Sequence, residues 1–266
     1  MKKASLFLLL LVFAATGFSQ TADEVINKFV AASGGKEKLN AINTLQYSQT
    51  ISMKTPMGDF SVPLKFYRER NKLFRLQASM QFGPQSLEFF TLVTDTAGYM
   101  MLPAMPMLGS EGGLKKMEEK DRALQTFQFD AAGLFAGLVD YSAKGNKAEF
   151  VKEEKVVNED CYVIKLTSKT GDETTYFISK STSLVVRTDV KGGMAANMTG
   201  LGGMMGDMGS KAENTEVIIL YSDYRDVKGV KFPSKAVIKN QMGDAESQFT
   251  DIKINEPIEA KWYRAG

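Results

Sequence analysis

Short blocks of alternating apolar and polar residues recur along almost the whole chain, with only turn-length gaps inside each run. They lie near 45–54, 59–69, 72–82, 86–95 and 98–102, then near 147–156, 160–168, 173–179, 184–190, 215–225, 230–241 and 245–253. Turn signals join them, among them Thr55-Pro-Met-Gly58, Arg70-Asn71, Gly83-Pro84, Asp95-Thr-Ala-Gly98, Lys169-Thr-Gly-Asp172, Asp226-Val-Lys-Gly229 and Gly243-Asp244. Parallel neighbours need a crossover of about a dozen residues or more, so this spacing predicts antiparallel hairpins. The expected fold is mainly β (α+β), a sheet of about 11–12 strands. A sheet that wide must curl into an incomplete barrel, and its concave face needs an apolar cover.

Helical signals supply candidates for the cover. Thr21-Ala-Asp-Glu24 is a capping box, Val25, Ile26, Phe29 and Val30 share one helical face, and Gly34-Gly35 ends the helix. A second short helix is expected over 36–42. Residues 114–127 (LKKMEEKDRALQTF) predict a helix with an imperfect stripe of Leu114, Met117, Asp121 and Leu124. Residues 131–141 (AAGLFAGLVDY) are apolar nearly all round and predict a helix buried on several sides. No second core signature and no long linker interrupts 20–266, so one domain is expected.

The N-terminus reads as an address. Lys2 and Lys3 precede the apolar run Leu6–Ala15, and Gly17 and Ser19 are spaced as at a signal-peptidase site. Ten apolar residues fall well short of the roughly 20 that span a bilayer. Cleavage after residue 19 would remove Lys2 and Lys3 and leave zero net charge, which gives no electrostatic case for nucleic acid. The expected location is the periplasm or another exported compartment, without a lipidation cysteine or a transmembrane span in the mature chain. The chain has no His and one Cys, which excludes Ser-His pairs, disulfide frameworks and zinc knuckles. The lone Cys161 lies in the alternating block CYVIKLT and is expected to be inert and buried.

Residues 58–103, with Arg70-Asn-Lys-Leu73-Phe74, Val93-Thr-Asp95 and Tyr99-Met-Met-Leu-Pro103, resemble the LolA-like carriers and sorting proteins of bacterial outer-membrane lipoproteins. The opening segment 25–45 and the segment YRDVKGVKFPSKAVI (224–238) are similar to the same group. The resemblance implies an incomplete antiparallel barrel whose apolar concavity, covered by helices, holds acyl chains without catalysis. It also implies that Arg70 latches the helical lid, although Asn71 stands where that group usually has Pro. Arg70 is the one residue carried over from that group; the expected ligand-binding and lid residues as a whole are Arg70, Phe74, Met100, Met101, Leu134, Phe135 and Leu138.

Methionine is unevenly spread. Met100, Met101, Met105 and Met107 form one cluster; Met194, Met198, Met204, Met205 and Met208 form a second, in a Gly-rich loop over 191–214. Clustered thioethers can hold Cu(I) without His or Cys, and adaptable Met can cover a greasy ligand. A loop without a role is the third reading. Enzyme patterns are poor: Ser33-Gly-Gly-Lys36, Lys169-Thr-Gly171 and Ser222-Asp223 occur in the wrong order for an acyl-transferase set, and Gly200-Leu-Gly-Gly203 misses the dinucleotide spacing. No catalysis and no cofactor are expected. Two functions remain open: a carrier for acyl chains of a lipid or lipoprotein, or an envelope module with a self-filled cavity that meets a protein partner.

Overall fold

A computed structural model of the chain describes residues 21–55, 58–82, 85–104, 111–191, 216–240 and 243–266. The expected leader, the second methionine cluster (Met194, Met198, Met204, Met205, Met208), Met105, Met107, and the Pro-bearing middles of the turns at 55–58 and 83–84 lie outside the described residues. The capping box is formed: the Glu24 amide donates to Thr21 Oγ1 at 3.2 Å, and the Thr21 amide donates to Glu24 Oε2 at 3.2 Å. It opens α1 (Ala22–Ala32), which buries Val25, Ile26, Phe29 and Val30. The short α2 (Lys36–Asn40) follows.

The tight Ser33-Gly34-Gly35 link between them has a packing cause. Gly34 sits at φ +131°, and a Cβ there would lie 2.5 Å from the Gly229 carbonyl oxygen. Only glycine permits that approach, and the Lys231 amide donates to the Ser33 carbonyl at 3.0 Å beside it.

The strands are β1 (Thr44–Thr55), β2 (Gly58–Glu69), β3 (Leu73–Phe82), β4 (Gln85–Thr94), β5 (Gly98–Leu102), β6 (Gly113–Lys116), β7 (Lys147–Val156), β8 (Glu159–Thr167), β9 (Glu173–Ser179), β10 (Val185–Lys191), β11 (Glu216–Val227), β12 (Val230–Asn240) and β13 (Gly243–Ile254). They form one antiparallel, curled, unclosed sheet in the order β6-β5-β4-β3-β2-β1-β13-β12-β11-β10-β9-β8-β7. The first and last strands therefore pair in the middle, and the chain runs outward to one edge before returning from the other. Residues 117–146 connect the two free edges.

Alternation decides which side chains enter the core. Val62, Leu64 and Phe66 on β2, Phe74, Leu76 and Ala78 on β3, and Leu45, Tyr47 and Ile51 on β1 share one cluster with α1 and the connecting segment. On β13 the inward series changes parity, from Ile254 and Ile252 to Phe249 and Ala245. A bulge against β1 at Gln46/Ser48, with Asp251 at φ +50°, makes that change and keeps apolar residues inward on both sides of it.

Two expected helices are corrected. The segment 114–127 begins as strand β6; only Glu119–Leu124 is α-helical (α3), and a 3-10 turn spans Thr126–Phe129. The segment 131–141 holds only a 3-10 turn at Ala136–Leu138. Gly133 at φ +92° and Asp140 at φ +49° take backbone conformations that no α-helix contains. A uniformly apolar segment reports burial, and burial here is met by a folded-over loop. Among the described residues no helix is long and apolar enough to cross a membrane.

Candidate functional site

The connecting segment lies over the concave face. Phe129, Ala131, Ala132, Phe135, Ala136, Leu138 and Val139 join the core cluster of that face. Phe135 meets Tyr221 edge-on at 4.9 Å between ring centres, Phe29 at 6.1 Å and Tyr176 at 6.5 Å. Packing is nevertheless incomplete. A cavity of about 510 Å³ remains beneath the segment, lined by Phe129, Leu134, Phe135, Leu166, Ile219, Ile238 and Phe249, with Tyr47, Gln49, Thr174, Tyr176 and Tyr221 among them. That size lies within the range of about 300–1,000 Å³ usual for small-molecule sites. Leu124 and Phe127, also in the lining, are 55% and 43% exposed, so apolar side chains stand at the mouth.

Polar contacts fasten the cover at its rim. Asp130 accepts from the Ala132 amide at 3.1 Å, pairs with Lys144, and lies 3.7 Å from Arg70 Nη1. Arg70 in turn donates to the Ile42 carbonyl at 2.8 and 3.1 Å and to the Leu39 carbonyl at 3.3 Å, at the C-terminal end of α2. Asp140 accepts from Lys36 at 2.6 Å and from Asn40 at 2.7 Å, and the Lys36 ammonium holds its carboxyl below the usual range. The Tyr141 hydroxyl donates to Asp23 on α1, which pushes its pKa up to about 12. At the other end Arg122 donates to the Thr94 and Asp95 carbonyls, each at 3.0 Å. Polar bonds thus ring a contact that is apolar beneath.

The buried tyrosines are held neutral. Burial raises the pKa of Tyr47, Tyr176 and Tyr221; Tyr221 shares a 3.3 Å hydrogen bond with Thr188. Gln49 donates to Ser247 at 2.9 Å. Among the described residues no cluster of three or more His, Cys, Asp or Glu could hold a metal.

The expected site residues divide three ways. Arg70, Leu134 and Phe135 line the cavity; Phe74 and Leu138 are buried in the core cluster beside it. Met101 packs with Tyr67, Phe90 and Trp262 on the opposite face of the sheet, and Met100 is half-buried outside every cluster. The turn at Arg70 also explains Asn71, whose φ of +58° is closed to proline. Ser33 and Lys36 are spent structurally, one at the end of α1 and the other on Asp140. Cys161 is fully buried, and burial lifts its thiol pKa to about 11.

Arg68 and Tyr47 are among the cavity residues that motif reading passed over. Their signal is present: Arg68 ends the inward series Val62, Leu64, Phe66, and Tyr47 continues Leu45.

Fold and cavity together define a class: an open antiparallel half-barrel with a pinned cover over an apolar hollow. No family model matches the chain, and no curated protein matches its sequence. Its fold is LolA-like. A LolA superfamily protein from Nitrosomonas europaea superposes with a TM-score of 0.53 at 10% identity, over 90% of this chain and 96% of that one. A domain from Vibrio parahaemolyticus described as an outer-membrane lipoprotein-sorting protein gives 0.51 at 10% identity, over 90% and 94%. A DUF1329 family protein from Desulfovibrio piger gives 0.50 at 10% identity, over 93% and 98%. At this identity the likeness is one of fold.

Proposed function

We propose that the chain is an exported, non-catalytic binding protein that takes acyl chains of a lipid or lipoprotein into the concavity beneath residues 117–146. The observation that carries the reading is the hollow of about 510 Å³ left between an apolar sheet face and a cover whose ion pairs lie at its rim. Each methylene moved from water into it contributes about 0.8 kcal/mol. Polar pins at the rim can open without exposing a broken network inside the core, which suits loading and release. The open volume favours this reading over a module whose own side chains fill the cavity. The Ser168, Thr170 and Asp172 side chains of the lining bond one another within their turn, an arrangement that closes the hairpin between β8 and β9.

Native mass spectrometry of protein taken from the periplasm without detergent tests the proposal. An added mass that dissociates as a lipid or an acylated peptide is expected. An apo mass that stays apo after incubation with acyl chains would overturn it.

A further inference from the structure

The cavity holds one cation whose surroundings are incomplete. Arg68 lines the hollow, yet among the described residues its side chain makes one hydrogen bond, from Nη2 to the neutral Gln128 Oε1 at 3.3 Å. Its Nε is buried with no partner, and among the described residues no carboxylate lies within ion-pair distance of it. Asp130, a carboxylate of the same lining, already faces Arg70 and Lys144. The Phe74 ring lies 5.8 Å from the Arg68 guanidinium carbon. Buried polar atoms are paired in the great majority of cases, and the half-buried Arg68 side chain keeps one buried donor without a partner. The lining as a whole repeats the imbalance: Arg68, Arg70, Lys144 and Lys169 face only Asp130 and Asp172.

We propose that Arg68 receives the anionic head of the bound amphiphile, a carboxylate or a phosphate, while the chain lies along Phe135, Ile219 and Phe249. The inference rests on the carrier reading and narrows it from acyl chains in general to acidic single-headed amphiphiles. A charged oxygen on the terminal nitrogens of the guanidinium supplies the charge-assisted, two-point contact that a guanidinium favours. Gln128, on the cover itself, already touches the same guanidinium, so the head would sit where sheet and cover meet.

The test compares matched ligands on the full chain by competition with a fluorescent fatty acid: oleate against oleyl alcohol, and a lysophosphatidate against the corresponding monoacylglycerol. Wild-type protein should prefer at least one acid over its neutral partner by tenfold or more, and the preferred pair identifies carboxylate or phosphate. Arg68→Gln should bring that ratio close to one, with its urea unfolding midpoint reporting that the variant is folded. Arg68→Lys, which keeps the charge without the two-point fork, should give a ratio between those of wild type and R68Q, and it serves as the deciding variant if R68Q loses all binding. Neutral ligands bound as tightly as acids by wild-type protein would overturn the assignment and leave the carrier reading standing. No binding of any of the four would remove both.

Discussion

Arg68 and Arg75 stand one position apart in the same hairpin, in the cross-strand pairs Arg68–Phe74 and Tyr67–Arg75, but on opposite faces. Arg75 is saturated. It donates to Gln77 Oε1 at 3.2 and 2.8 Å and to the Arg264 carbonyl at 2.7 Å, with the Phe90 ring at 4.1 Å and Trp262 at 5.4 Å. The cover on that face is the C-terminal tail, which stacks Trp262 on Tyr67 at 4.6 Å and ties the Tyr263 hydroxyl to Glu69. Arg68, under the cover formed by 117–146, has one long bond and a bare Nε. The sheet therefore has two covers of different kinds. One completes the packing of the side chains beneath it, and the other leaves room and an unpaired donor.

Four substitutions or measurements sharpen or break that contrast. Phe135→Ala should have the largest effect, a loss of about 3 kcal/mol in urea unfolding, because it removes a buried ring touching three others. It should also admit a longer or branched chain. If it shifts the urea midpoint by less than Trp262→Ala does, the cover over the cavity is not a packed element.

Trp262→Ala should cost about 2 kcal/mol, mostly in the contacts with Tyr67 and Arg75, since this ring is only partly buried. Acyl-chain affinity should stay within twofold of wild type; a larger change would mean that the two faces are coupled.

Asp130→Asn should cost about 1 kcal/mol, as it weakens the ties to Lys144 and Arg70 at a partly exposed site. Its expected signature is faster ligand exchange in stopped flow, with Arg70→Leu acting in the same direction. Unchanged exchange in both would remove the rim pins from the release step.

The smallest effect concerns Cys161, on the face away from the cavity, in a cluster with Val156, Val163 and Phe177. Burial raises its pKa from 9.0 to about 11, so the native state holds this proton more tightly than the unfolded chain does. The associated stability is complete below about pH 9 and is lost as pH rises towards 11. Thiol labelling at pH 8 should be much slower in native than in denatured protein; equal rates would show that this part of the sheet opens freely.

Much of the architecture was legible locally. All twelve expected blocks are strands, with ends displaced by a few residues at most, because alternation and turn residues act over neighbouring positions. The strand that was missed, β6, is four exposed residues, GLKK, with no alternating signal. The segment 131–141 was misread because an apolar run shows that a stretch is buried without showing its backbone form, while Gly133 and Asp140 decided that form. In the site, Arg70, Leu134 and Phe135 were reachable by motif or composition. Met101 was misplaced because strand parity sends it to the Trp262 face.

The sequence by itself determined the hairpins, the curl they require, the inward-facing residues and the cap of the first helix, since each depends on contacts within a few positions or on a strict period of two. Only the tertiary structure decided that β1 pairs with β13, that Asp130 meets Arg70 across the rim, and that Arg68 faces the hollow without a carboxylate. Those outcomes join residues some 60 to 200 positions apart. Whether a buried charge finds its partner depends on where the curled sheet and its cover bring distant side chains, and no local pattern carries that distance.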